Sequence, residues 1–107
     1  MEKGEKINMF GLFKNNVREA LKKGAVIIDV RTPHEFDNGK VPGSINIPVD
    51  RIVSNVEKIR SMKKPVIVVC ESGARSSQAK SILRSAGINE VYNGGSWESV
   101  LRTLNKL

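Results

Sequence analysis

The sequence predicts an α/β protein, a central parallel sheet of four to five short strands with helices on both faces. Two observations carry this. Ala25-Val26-Ile27-Ile28-Asp29-Val30 and, after Pro65, Val66-Ile67-Val68-Val69 are short, mainly β-branched apolar runs, the pattern of strands buried on both faces. Around them apolar residues recur at helical spacing, so strands alternate with helices, and that order favours a parallel sheet. At 107 residues the chain buries about two-thirds of its unfolded surface, enough for a core without a staple. Residues 1–107 are read as one domain, with residues 1–12 as a loosely attached N-terminal segment.

Each element follows in order. Ile7 to Phe10 predicts a short edge strand. Phe13, Val17, Ala20 and Leu21 then form a helical stripe that Gly24 ends. After the strand at Ala25–Val30, Thr32-Pro33-His34-Glu35 reads as a helix start, with Thr32 as N-cap, Pro33 at the first position and Glu35 closing a capping box. Gly39 ends that helix, Val41-Pro42-Gly43 is a turn, and Ser44 to Pro48 is a short alternating strand. Val49, Ile52, Val53, Val56 and Ile59 predict one amphipathic helix that stops before Pro65. Beyond the strand at Val66, residues Ala79, Ile82, Leu83 and Ala86 mark a helix from Ala74 closed by Gly87. Ile88 to Tyr92 is the last strand, Gly94-Gly95 breaks the chain, and Ser96 caps a helix carrying Trp97, Val100, Leu101 and Leu104.

Composition narrows the partners. One cysteine cannot form an internal disulfide, so a free thiol in a reducing compartment, the cytoplasm, is expected. With His34 and Cys70 as the only soft ligands, no metal and no cofactor are expected. No stretch approaches the ~18 apolar residues of a membrane helix, and the charged start is no signal peptide, so no membrane partner is expected. A net charge of +7 suits anionic ligands, but aromatics are 5% of residues and none interleaves with the basic clusters, so nucleic acid is not an expected partner.

The chemistry concentrates at Cys70-Glu71-Ser72-Gly73-Ala74-Arg75-Ser76, where a buried strand runs into a loop and a helix begins. Ligands of parallel sheets bind beyond the carboxyl ends of the strands, and Cys70 sits at one. Small residues let successive amides converge there as an anion nest. A thiolate at its centre gains from those amides, from the helix N-terminus and from Arg75, and thiols so placed titrate at about 3.5–7.5. Cys70 is therefore the expected nucleophile, against the plainer reading of a small buried core residue. Ser72 and Ser76 are expected to orient the loop. Arg75 either faces the ligand or pairs with Asp29 or Glu35. His34, in the first turn of a short helix, is read as exposed rather than as a catalytic partner of Cys70. Asp29 is read as a cap or ion-pair partner and Trp97 as core.

These stretches together resemble the single-domain rhodaneses, a sulfurtransferase family, over residues 24 to 104. Asp29-Val30-Arg31 with Glu35-Phe36 resembles the family's first signature. Gly39 to Pro48 resembles the second, with Lys40 where histidine is frequent, and Cys70 to Ser76 resembles the active-site loop. Asn93-Gly94-Gly95 and Trp97 fit the closing turn and helix. The resemblance implies a rhodanese-like fold and a thiosulfate sulfurtransferase. Its Cys70 would take sulfane sulfur from thiosulfate or a persulfide, hold it as a persulfide cradled by the amides of Glu71 to Ser76, and pass it to a thiol, to cyanide or to a protein thiol. Arg31 and Lys40 would stand at the pocket rim.

Two alternatives remain at this level. A cysteine, an amide nest and an arginine also describe cysteine-dependent phosphatases and arsenate reductases. Those families place five residues between cysteine and arginine, whereas four separate Cys70 from Arg75, a tighter ring. The other alternative is a non-catalytic rhodanese-like module that binds partners or senses redox state. Glu71 bears on it, because a carboxylate beside the thiol opposes an anionic donor by about 1 kcal/mol in an exposed setting.

Overall fold

The computed structural model describes residues 9–107, with side chains from residue 16 onward. Four parallel strands form one sheet in the order β2-β1-β3-β4. They are β1 (Val26–Asp29), β2 (Ile45–Asn46), β3 (Val66–Cys70) and β4 (Val91–Ser96). The helices are α1 (Met9–Lys22), α2 (Pro33–Asp37), α3 (Val56–Ser61), α4 (Ala74–Ser85) and α5 (Trp97–Asn105).

Alternation along β3 divides the core. All five β3 residues are buried, as expected of a central strand. Val66, Val68 and Cys70 point to one face, with Ile28, Ile52, Ile59, Ala79 and Leu83, so the segment from Val49 to Ser61 and α4 cover that side. Ile67 and Val69 point to the other, with Val17, Ala20 and Val100 from α1 and α5. Cys70 thus faces α4, whose first turn lies directly beyond the strand.

The caps follow the local sequence. The Thr32 hydroxyl accepts from the Glu35 amide at 3.2 Å while the Thr32 amide donates to Glu35 Oε1 at 2.9 Å, closing the capping box of α2. The Ser96 hydroxyl accepts from the Ser99 amide and starts α5.

Three expectations need correction. Met9 and Phe10, placed in an edge strand, open α1, while Ile7 and Asn8 lie outside the described residues. The continuous helix expected from Val49 is two 3-10 turns, Val49–Arg51 and Val53–Asn55, followed by the short α3. The carbonyl of Arg51 is taken by Ser54 Oγ at 3.1 Å and Asn55 Nδ2 at 2.8 Å, local side-chain bonds that compete with regular α-helix. The last strand begins at Val91 rather than Ile88 and continues through Gly94-Gly95, which do not break it. Val68 pairs with Asn93 and Val69 with Gly95, so Gly94 is the extra residue of a β-bulge. A Cβ at Gly94 would lie 2.7–2.9 Å from methyls of Val100, Ile67 and Val69, and only glycine fits that approach.

Candidate active site

Cys70 ends β3 and its side chain is buried under the head of α4. The Gly73 amide donates to Sγ at 2.9 Å, and the Ser76 hydroxyl lies 3.5 Å from the sulfur. Gly73 itself is the N-cap of α4 at φ +104°, a conformation that suits glycine, and it supplies no side-chain cap. The Ser76 amide of the first turn, with the Gly73 and Ser72 amides before it, therefore acts on the sulfur rather than on a capping oxygen. Burial pushes the Cys70 thiol up, but the Ser76 hydroxyl, where it donates to the sulfur, and the amides of Ser76, Gly73 and Ser72 bring it below the ordinary thiol value.

Ser76 is fully buried and belongs to a network that extends to β4. Its hydroxyl reaches Asn93 Oδ1 at 2.6 Å and the Gly73 carbonyl at 3.1 Å. Asn93 Nδ2 donates to the same carbonyl at 3.1 Å, and Asn93 Oδ1 accepts from the Gly95 amide at 2.9 Å. The bulge at Gly94 is what aims Asn93 at the loop, an ordinary use of bulges near binding sites. Asn93 drew notice in the sequence only as part of a closing turn. A β-disfavoured asparagine inside the strand beside the cysteine strand, just before two glycines, is the signal that points to it.

Both arginines near the loop are held by carboxylates. Arg75 pairs with Glu35 at 2.8 and 3.0 Å, the second of the two arrangements open from the sequence. Arg31 is buried, with Nε and Nη2 on the Asp29 carboxylate at 2.7–3.1 Å, Nη2 also on the Gly39 carbonyl at 2.6 Å, and Nη1 3.6 Å from Glu71. Its guanidinium lies 5.0 Å from the centre of the Trp97 ring. Arg31 is thus buried beneath the rim, and Glu71 reaches back to it from a side chain that is 58% exposed. Lys40 is exposed, its Nζ 5.0 Å above the Phe36 ring. Ser72 and Ala74 are exposed on the outside of the loop. His34 is exposed, near Asn38 at 3.4 Å. A cavity of about 680 Å³ adjoins the outer side of Ser72 and Gly73, between β4 and α5, and Cys70 is not among its lining residues.

The arrangement can hold a thiolate or another anion on oriented amides at the end of a parallel sheet, with a hydroxyl within reach of the sulfur. Comparisons with known proteins agree with that geometry. A family model described as the rhodanese-like domain matches residues 14–102. Protein YqhL of Bacillus subtilis is 36% identical over 85 residues, covering 77% of this chain and 67% of that protein. The thiosulfate sulfurtransferase PspE of Escherichia coli is 34% identical over 74 residues, covering 68% and 71%. Among solved structures, a rhodanese with anions from E. coli superposes with a TM-score of 0.64 at 33% identity, covering 70% of this chain and 89% of that one. The chain belongs to the rhodanese-like domain family.

Proposed function

We propose that the protein is a sulfurtransferase, acting as a single domain, that carries sulfane sulfur as a persulfide on Cys70. The observation that supports this most is the Gly73 amide 2.9 Å from Sγ at the uncapped head of α4, a setting that favours thiolate over thiol. The family's members named thiosulfate sulfurtransferase, PspE among them, support the reaction class.

In the first step the Cys70 thiolate attacks the outer sulfur of the donor. The donor's S–S bond breaks and its electron pair leaves on sulfite, when thiosulfate is the donor, or on a thiolate, when a persulfide is. The charge of the new persulfide lies within reach of the amides of Glu71 to Ser76. In the second step an acceptor thiolate, a protein thiol or cyanide attacks the terminal sulfur, and the electron pair returns to Cys70. The two half-reactions make the kinetics ping-pong. No general base is required once the thiol is ionised, consistent with the exposed position of His34. A lone free thiol of this kind suits a reducing compartment such as the cytoplasm.

The charge around the loop bears on the donor. Two guanidiniums, Arg31 and Arg75, face three carboxylates, Asp29, Glu35 and Glu71. A dianion such as thiosulfate meets this set less favourably than a persulfide of lower charge. The reading is therefore a sulfurtransferase whose preferred donor is a persulfide, small or protein-borne, with thiosulfate the slower one. Transfer from thiosulfate to cyanide and from a low-molecular-weight persulfide to a thiol are both expected to vanish in Cys70→Ser. Retention of either at the wild-type rate would overturn the assignment.

A further inference from the structure

We infer that Asn93 is a positioning residue that decides whether the Ser76 hydroxyl proton points to its own side chain or to the Cys70 sulfur. The inference rests on Cys70 being the nucleophile of the reading above.

The Ser76 proton can serve only one acceptor at a time. The Ser76 hydroxyl carries one hydrogen and has three neighbours able to accept it: Asn93 Oδ1 at 2.6 Å, the Gly73 carbonyl at 3.1 Å and Sγ at 3.5 Å. Asn93 cannot present its other end. Its Nδ2 donates to the Gly73 carbonyl and its Oδ1 accepts from the Gly95 amide, so a flipped amide would lose both bonds and set donor against donor. Oδ1 therefore stays an acceptor toward Ser76, and the shortest of the three contacts holds the proton.

Two protonation states of the sulfur need opposite things from this hydroxyl. With the proton on Asn93, the Ser76 oxygen offers lone pairs to Cys70, which matches a neutral thiol donating S–H. A thiolate needs a donor instead. To supply it, Ser76 must rotate its proton from Oδ1 to Sγ, leaving Oδ1 with the Gly95 amide alone. Asn93 thus opposes ionisation through Ser76, and once the sulfur charge has moved outward on a persulfide the hydroxyl is free to return. The bulge at Gly94 fixes Asn93 in register for this, opposite Val68 on β3.

The charged groups around the sulfur are Asp29 and Arg31 from the end of β1, Glu35 from α2, Glu71 in the loop and Arg75 on α4. Among the described residues β4 contributes only neutral groups there, Asn93 and Ser96. A mutant cycle on Asn93 and Ser76 leaves all those charges in place, so they cancel.

The test is the thiolate's ultraviolet absorbance against pH in the full-length chain, with Cys70→Ser as the blank; the single cysteine makes the signal unique. Asn93→Ala is expected to lower the midpoint by about one pH unit when Ser76 is present. In a Ser76→Ala background the same substitution should move it by no more than about a third of that. Asn93→Asp should raise the midpoint, and by more with Ser76 than without it, since a carboxylate holds the hydroxyl harder. This second arm decides the matter if Asn93→Ala does not fold. Shifts of equal size in the two backgrounds would overturn the proposal, because they would make Asn93 a loop tether acting without Ser76. The titration needs no sulfur donor, so it stands or fails separately from persulfide formation.

Discussion

The Arg75 guanidinium and the Glu35 carboxylate meet at two points, Nη1 to Oε1 at 2.8 Å and Nη2 to Oε2 at 3.0 Å, and so join the first turn of α4 to α2 across the mouth of the cysteine loop. Glu35 serves two structures at once, because the same carboxylate closes the Thr32 capping box. The Arg75 bond first, and the Thr32 amide second, bring its carboxyl down to about 2 from an ordinary 4.5.

That depression fixes a pH window. The folded value lies below the unfolded one, so the stabilisation is full above about 4.5 and drains as pH falls toward 2. Glu35→Gln should lose about 1 kcal/mol at neutral pH, the scale of a half-exposed bidentate pair, and should show a flatter decline through this window. Urea unfolding midpoints measured from pH 2 to 7 check it. Parallel curves for the two proteins would contradict it.

A second prediction concerns Asp29. Its carboxylate is fully buried and takes the Arg31 backbone amide at 3.0 Å as well as the guanidinium. Removing one member of a buried pair strands the other, at a cost of about 3–5 kcal/mol. Asp29→Ala should unfold at much lower urea with an unchanged slope. A loss below about 1 kcal/mol would show that Glu71 or solvent compensates Arg31.

Gly94→Ala tests the bulge. The new methyl would meet Val100, Ile67 and Val69 methyls at 2.7–2.9 Å, and these neighbours are themselves buried. Overpacking of this kind costs about 1–3 kcal/mol. Chemical denaturation measures it, and a neutral result would mean that the strand can shift without loss.

Glu71→Gln tests the donor preference. Taking one negative charge from the loop should raise kcat/KM for thiosulfate about fivefold, the equivalent of roughly 1 kcal/mol, and should change persulfide turnover less. Equal gains for both donors, or none for thiosulfate, would count against the charge argument.

Much of the fold was legible because it is local. The β-branched runs of β1 and β3, the capping box at Thr32 and the Ser96 cap depend on neighbours within four residues, and all four stand in the structure. The segment after Pro48 was not, because periodicity counts apolar positions and is blind to Ser54 and Asn55 drawing off the Arg51 carbonyl. Gly94-Gly95 looked like a break because a bulge and a turn share the same residues. The loop around Cys70 could be placed at a strand end, yet its partners come from far along the chain: Glu35 is 40 residues from Arg75, and Asn93 is 17 from Ser76. Spacing within the loop holds no record of either.

The proposed sulfur transfer passes through a persulfide on Cys70. Intact mass after exposure to thiosulfate or a low-molecular-weight persulfide, before and after adding a thiol acceptor, tests it most directly. The expected result is a gain of one sulfur atom, mapped to Cys70, lost on adding the acceptor and absent in Cys70→Ser. No added sulfur from either donor, or a gain that persists in Cys70→Ser, would contradict it.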